Sequence, residues 1–251
     1  MPTPTVIKQY QYSDAINRRY WDNNYWFDTF TVNPVTSAVA GGAATGVAGD
    51  RNVLYTQFGA YEWNVIGTQT ILAPSLGLTG LNLVQDATAA DGIELCTGQT
   101  ILSPNAFTIG SPAFFFQGII KVEDVSGCNP LIIGLRKAQA FNATLSSYTD
   151  FATIGIVGTA GHIQLQTQLN TGGVVTTDTT QIAVDASVIQ LKIKVSNTGV
   201  VTYEYNYQAP VVVAAFQFDT GDVVIPFIRF TQAADISTYC DLSWFEVGYQ
   251  S

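Results

Sequence analysis

Apolar and polar positions along this chain follow a two-residue rhythm, most clearly in its second half. His162–Leu169 (HIQLQTQL) alternates strictly, so one set of side chains faces a core and the other faces away. Val188–Val195 (VIQLKIKV) and Val200–Tyr207 (VVTYEYNY) repeat the pattern on either side of Ser196-Asn197-Thr198-Gly199. That arrangement predicts a hairpin, with Asn and Gly supplying the positive φ a tight turn requires. Ala113–Val122, Leu131–Arg136, Phe151–Val157, Val211–Phe218, Val223–Phe230 and Cys240–Tyr249 read as further strands. Leu169–Val174 reads as a hairpin connection, and 138–145 is compatible with one helical turn. In the first half, Phe27–Val32 predicts a half-buried strand ended by Asn33-Pro34, and Ser37–Gly49 is a glycine-rich loop. Short β-prone runs follow at Asn52–Phe58, Tyr61–Ile66, Gln69–Leu72, Leu76–Val84 and Gly92–Cys96.

About a dozen strands with a turn every 8–12 residues and almost no helical period predict an all-β sandwich or barrel. A parallel α/β sheet would need crossover helices, which are missing. No internal repeat supports a propeller or β-helix. At 251 residues the chain can form one large β domain.

Residues 1–24 break the rhythm. Pro2 and Pro4 oppose regular structure, and the stretch that follows mixes tyrosine, tryptophan and arginine without a period, with room for one helical turn capped by Ser13 or Asp14. Disordered leaders are poor in aromatics. The segment therefore reads as an arm that orders against a partner, carried by Tyr10, Tyr12, Arg18, Arg19, Tyr20, Trp21, Tyr25 and Trp26. The remainder, 25–251, reads as one domain.

Only 12% of residues are charged and 47% are hydrophobic, a balance that favours a packed fold whose surface either lies partly against other protein or is solvated through Thr, Ser, Gln and Asn. Net charge is −9, and the ten Lys+Arg are scattered, so neither nucleic acid nor an anionic membrane is an expected partner. The N-terminus carries no signal-peptide h-region, and no run approaches the ~20 apolar residues of a membrane helix. Cys96, Cys128 and Cys240 are either small buried hydrophobes or one internal disulfide plus a free thiol.

Candidate chemistry is sparse. His162 is the only histidine and heads a strand, so it reads as a turn or surface residue, and no G-x-S-x-G elbow exists to pair it with a nucleophile. Glycoside hydrolysis needs two carboxylates across a cleft. The E-x-D-x-x-E strand pattern of concanavalin-like glucanases is missing, and adjacent Glu123-Asp124 would face opposite ways on a strand. Asp219-Thr220-Gly221-Asp222 reads as a turn rather than a calcium loop. No catalytic or metal residue and no cofactor are expected. Tyr203, Tyr205 and Tyr207 share one strand face by spacing, as a stripe that packs in the core or at a subunit interface or, alternatively, stacks on sugar rings.

The stretch from Asp91 onward resembles concanavalin A-like (LamG/pentraxin-type) jelly-roll modules in structural proteins of tailed bacteriophages. The resemblance is carried by Asp91–Leu95, Phe114–Gly127, Ile133–Lys137, Tyr148–Ile156, Gly173–Thr180, Gly199–Tyr203, Phe218–Phe227 and Trp244–Tyr249. It implies a jelly-roll sandwich whose first and last strands pair, setting Phe27–Val32 beside Trp244–Tyr249. It further implies a non-enzymatic capsid decoration protein on the virion surface, made in the host cytoplasm. Such a protein would be a homotrimer attached to the major capsid protein through its N-terminal arm. The alternative it implies is a carbohydrate-binding head- or tail-fibre module that contacts host surface glycans.

Overall fold

In the computed structural model the described residues are 26–28, 35–38, 52–55, 60–67, 77, 79–83, 88–103, 105–158, 160–233 and 240–250. They form two antiparallel sheets packed face to face, with strands numbered in chain order. One sheet runs β1 (Trp26–Asp28), β16 (Cys240–Tyr249), β8 (Phe114–Val122), β13 (Ser187–Val195), β14 (Val201–Tyr205), with β5 (Leu81–Asn82) added to β16. The other runs β12 (Val175–Ile182), β11 (His162–Gln168), β10 (Phe151–Ile156), β9 (Cys128–Lys137), β15 (Val223–Gln232), β6 (Gly92–Cys96), β4 (Ala60–Ile66), β3 (Asn52–Tyr55), β2 (Val35–Ala38), with β7 (Phe107–Thr108) on β15. Helix among the described residues is confined to two 3-10 turns, Val125–Gly127 and Leu145–Ser147. This is a concanavalin-like jelly-roll sandwich.

The alternation explains the core. Phe116, Ile120 and Val122 of β8 and Ile189, Leu191, Ile193 and Val195 of β13 point inward, against Leu131, Ile133 and Leu135 of β9 and Ile154 and Ile156 of β10. Ile163 and Leu165 of β11 join this core, while Gln164 and Gln166 between them lie on the sheet's outer face. In β16 the register against β8 shifts between Leu242 and Trp244. This bulge inverts the parity, so Cys240 and Leu242 point inward before it and Phe245 and Val247 after it. The first and last described strands pair, with Trp26 opposite Val247 and Asp28 opposite Phe245.

Several expected elements change at their ends. Val200–Tyr207 shortens to β14, because Asn206 and Tyr207 take left-handed φ of 49° and 64° and turn the chain back between Tyr205 and Gln208. Val211–Phe218 makes no strand, only a bridge from Val200 to Gln217. Its valines are instead exposed, Val211 at 83%. Residues 138–144 run as an irregular strap with no helical turn, and the 3-10 turn falls just after, at Leu145–Ser147. Leu76–Val84 narrows to β5, while the run at 69–72 and the arm at 1–24 lie outside the described residues. The Ser196–Gly199 hairpin forms, with Gly199 N–H donating to Ser196 O at 3.0 Å and Gly199 at φ 88°.

Candidate functional site

The outer face of the larger sheet collects the chemistry-bearing side chains. Pairing places Asn64 of β4 beside Glu94 of β6, Glu94 beside Arg229 of β15, and Arg229 beside Ile132 of β9. Glu62 faces Cys96 one pair further along. A strap formed by residues 138–149 lies over this face, so its centre is covered by the chain itself.

Glu94 is the hub, with no exposed surface. Its Oε1 accepts from Arg136 Nε at 3.1 Å and pairs with the Arg136 terminal nitrogen at 3.1 Å. Tyr148 Oη lies 2.8 and 2.9 Å from the two carboxylate oxygens, and Arg229 reaches Oε2 at 3.3 Å. Arg136 sits 4.4 Å over the Tyr148 ring and also donates to Gln139 O at 2.9 Å. Arg229 donates to Asn142 O at 3.0 Å and to Ala143 O. Gln99 closes the far side, accepting from Phe141 N–H at 2.9 Å and donating to Asn64 Oδ1 at 3.2 Å. Burial pushes the Tyr148 phenol and the Cys96 thiol up, the thiol to about 12. Buried charge is tolerated here because each group has several charge-assisted partners.

Beside this locked centre a cavity of about 370 Å³ remains between strap and sheet. Its walls are Ile66, Pro130, Leu145 and Val157 on the apolar side, and Asn129, Thr144, Gln166, Arg229 and Thr231 on the polar side. That volume lies within the roughly 300–1,000 Å³ of small-ligand pockets, which pair apolar walls with a few placed polar groups. Among the described residues no group of three or more His, Cys, Asp and Glu is arranged to hold a metal.

Of the residues singled out in the sequence, Tyr10, Tyr12, Arg18, Arg19, Tyr20, Trp21 and Tyr25 lie outside the described residues, and Trp26 is described only through its pairing in β1. Tyr203, Tyr205 and Tyr207 do not form a stripe open to solvent. Tyr203 and Tyr205 share the inward face of β14, where Tyr203 is buried in the core and Tyr205 packs against it. Tyr207 has left the strand, stands on the turn and is 64% exposed. The strand ends two residues before the spacing argument needs it to. His162 pairs with Asp178 at 2.8 Å at the half-exposed margin of β11. Asp219 and Asp222 form a turn, Asp222 N–H donating to Asp219 O at 3.2 Å.

The Glu94–Arg136–Arg229–Tyr148 cluster was missed by sequence reasoning. Its signal is there: a single charge sits in each of the apolar runs GIELC, LIIGLR and VIPFIRF. Lone charges in otherwise buried strands require one another.

No protein-family model matches this sequence, and no curated protein matches it. Solved structures do. The carbohydrate recognition domain of Emp47p aligns over 91% of this chain and 96% of its own, at 11% identity and a TM-score of 0.50. That of Emp46p aligns over 74% and 87%, at 7% identity and a TM-score of 0.50. A structure described under endo-acting O-glycanases that human gut microbiota express to initiate mucin breakdown aligns over 90% and 99%, at 9% identity and a TM-score of 0.53. The likeness establishes the fold, a concanavalin-like sandwich, and nothing beyond it.

Proposed function

We propose that this chain is a non-catalytic carbohydrate-binding module whose ligand enters the cavity between the strap and the outer face of the larger sheet. The observation that carries this reading is the state of Glu94. It is the carboxylate at the centre of the face, fully buried and held by two arginines and a tyrosine. A general acid or nucleophile must reach the scissile bond, and glycoside cleavage needs two carboxylates flanking it. The cavity next to Glu94 offers amide, hydroxyl and guanidinium groups with apolar walls, which suits binding a sugar ring without cleaving it. Fold likeness to carbohydrate recognition domains agrees with this, although a fold alone does not assign a role.

A glycan array probed with the purified chain tests the reading, followed by Thr144→Trp, which fills the cavity from an exposed rim position. Saccharide binding that disappears in this variant is the expected result. No saccharide bound by the parent chain, or unchanged binding by the variant, would remove the reading. Incubation with polysaccharides is expected to release no reducing ends.

A second reading, protein contact as in a virion decoration protein, starts from a different observation. Ile182, Val184, Val188 and Tyr207 are each more than half exposed. They gather at one corner: Tyr205 Oη donates to Ile182 O, and Tyr207 N–H donates to the side chain of Gln190, two residues from Val188. Clustered exposed apolar side chains mark protein contact. On this reading residues 1–24 attach a homotrimer to the major capsid protein. Light scattering should then give three copies, and deletion of residues 2–24 should abolish particle occupancy while leaving the sandwich folded.

A further inference from the structure

We propose that Cys128 and Cys240 are a latent inter-sheet disulfide, the pair that an oxidant joins while Cys96 stays a free thiol. Cys128 opens β9 of the larger sheet and Cys240 opens β16 of the smaller one. Both are free, without exposed surface, and part of the same core cluster between the sheets. Cys240 stands opposite Val122 at the end of β8, from which the chain runs through the 3-10 turn at Val125–Gly127 straight into Cys128, whose Sγ lies 3.6 Å from Asp124 O. Burial pushes the Cys240 thiol up, with Cys128 acting on it as a neighbour. Cys96 is excluded by the sheet itself. It sits on the opposite, outer face with Ile132 and Phe227, 3.9 Å from a terminal nitrogen of Arg136. Of the three pairings that three cysteines permit, only one crosses no sheet.

The co-reactant is a low-molecular-weight disulfide such as oxidised glutathione. One cysteine thiolate attacks a sulfur of glutathione disulfide, breaking its S–S bond and releasing a first glutathione thiolate. The second cysteine then attacks the protein sulfur of the mixed disulfide, forming the Cys128–Cys240 bond and releasing the second. Two electrons pass from the cysteines to glutathione, and the two thiol protons end on the released thiolates. Burial raises the Cys240 thiol and blocks access, so the folded chain reacts slowly. The bond forms instead as the chain folds, or when β16 opens, outside a reducing cytoplasm. Because the two positions are more than a hundred residues apart, the link restricts the unfolded chain strongly.

The experiment refolds the full chain from denaturant in a buffer of reduced and oxidised glutathione and titrates thiols under denaturing conditions. The expected count falls from three to one, peptide mapping joins 128 to 240, and Tm rises by roughly 4–16 °C, reversed by dithiothreitol. Cys96→Ser should fall from two thiols to none, and Cys128→Ser should form no internal link. Three thiols retained after refolding, or a link that includes Cys96, overturns the proposal. Should Cys128→Ser fail to fold, the parent map and the Cys96→Ser count still decide. These readouts are independent of any glycan.

Discussion

At the scale of single residues, the chain keeps its charges few and concentrates three of them. Glu94, Arg136 and Arg229 sit on the outer face of the larger sheet, and the two arginines hold the strap down through Gln139, Asn142 and Ala143. Removing one partner of such a set leaves the others buried and uncompensated, at a cost of about 3–5 kcal/mol. Glu94→Gln replaces an acceptor-only carboxylate with an amide whose N–H₂ meets donors from Arg or Tyr. It should lower the unfolding free energy from urea titration by that amount, read as a lower midpoint at unchanged slope. The reverse applies to Tyr203, whose buried hydroxyl has no hydrogen-bond partner. Tyr203→Phe removes an unsatisfied polar group and should leave stability unchanged or raise it by up to ~1 kcal/mol in thermal melts. A sugar-stacking role for Tyr203 would require exposure that this core ring lacks.

At the scale of elements, the turns determine where the strands stop. Asn206 and Tyr207 both adopt left-handed backbone, the geometry of a type I′ hairpin turn, which prefers Asn followed by Gly. Asn206 suits its place, and its side chain accepts from Gln190 N–H at 2.9 Å. A tyrosine at φ 64° is strained, by an amount on the order of 1 kcal/mol. Tyr207→Gly should therefore stabilise the fold by up to about 1 kcal/mol in denaturant titration. The same variant should weaken any self-association if the exposed apolar corner is a contact surface, so sedimentation separates the two effects. The strand text VVTYEYNY contains the Asn that ends it, but alternation continues through Tyr207 on paper because a turn residue in left-handed geometry leaves no mark on the hydrophobic period.

At the scale of the whole molecule, two buried thiols, Cys96 and Cys240, make stability depend on alkaline pH. Cys96 has an ordinary value of 9.0 and is raised to about 12 in the fold, chiefly by burial. Above pH 9 the unfolded chain releases this proton while the folded chain keeps it, so deprotonation favours unfolding. The contribution is complete below pH 9 and is lost as pH climbs toward about 12. The urea midpoint should decline between pH 8 and 11, and Cys96→Ala should flatten that decline in part, since Cys240 is raised by burial as well. The strap links this scale to the site: it covers the centre of the larger sheet, and its Ala143, Thr144 and Leu145 border the cavity.

Composition and the two-residue rhythm by themselves settle the all-β class, most of the strands and the hairpin at Ser196–Gly199, because alternation and turn chemistry are local properties of the chain. They also single out His162 as a margin residue and Asp219–Asp222 as a turn. Only tertiary structure decided that Glu94, Arg136 and Arg229, over a hundred residues apart at the extremes, share one buried cluster. It alone put Cys128 and Cys240 in one core cluster with Cys96 on the other side of the sheet, and it turned Tyr203 inward. Each of these depends on which strands become neighbours and which face of each meets the other sheet. Register and packing of distant segments set those relations, and no local pattern encodes them.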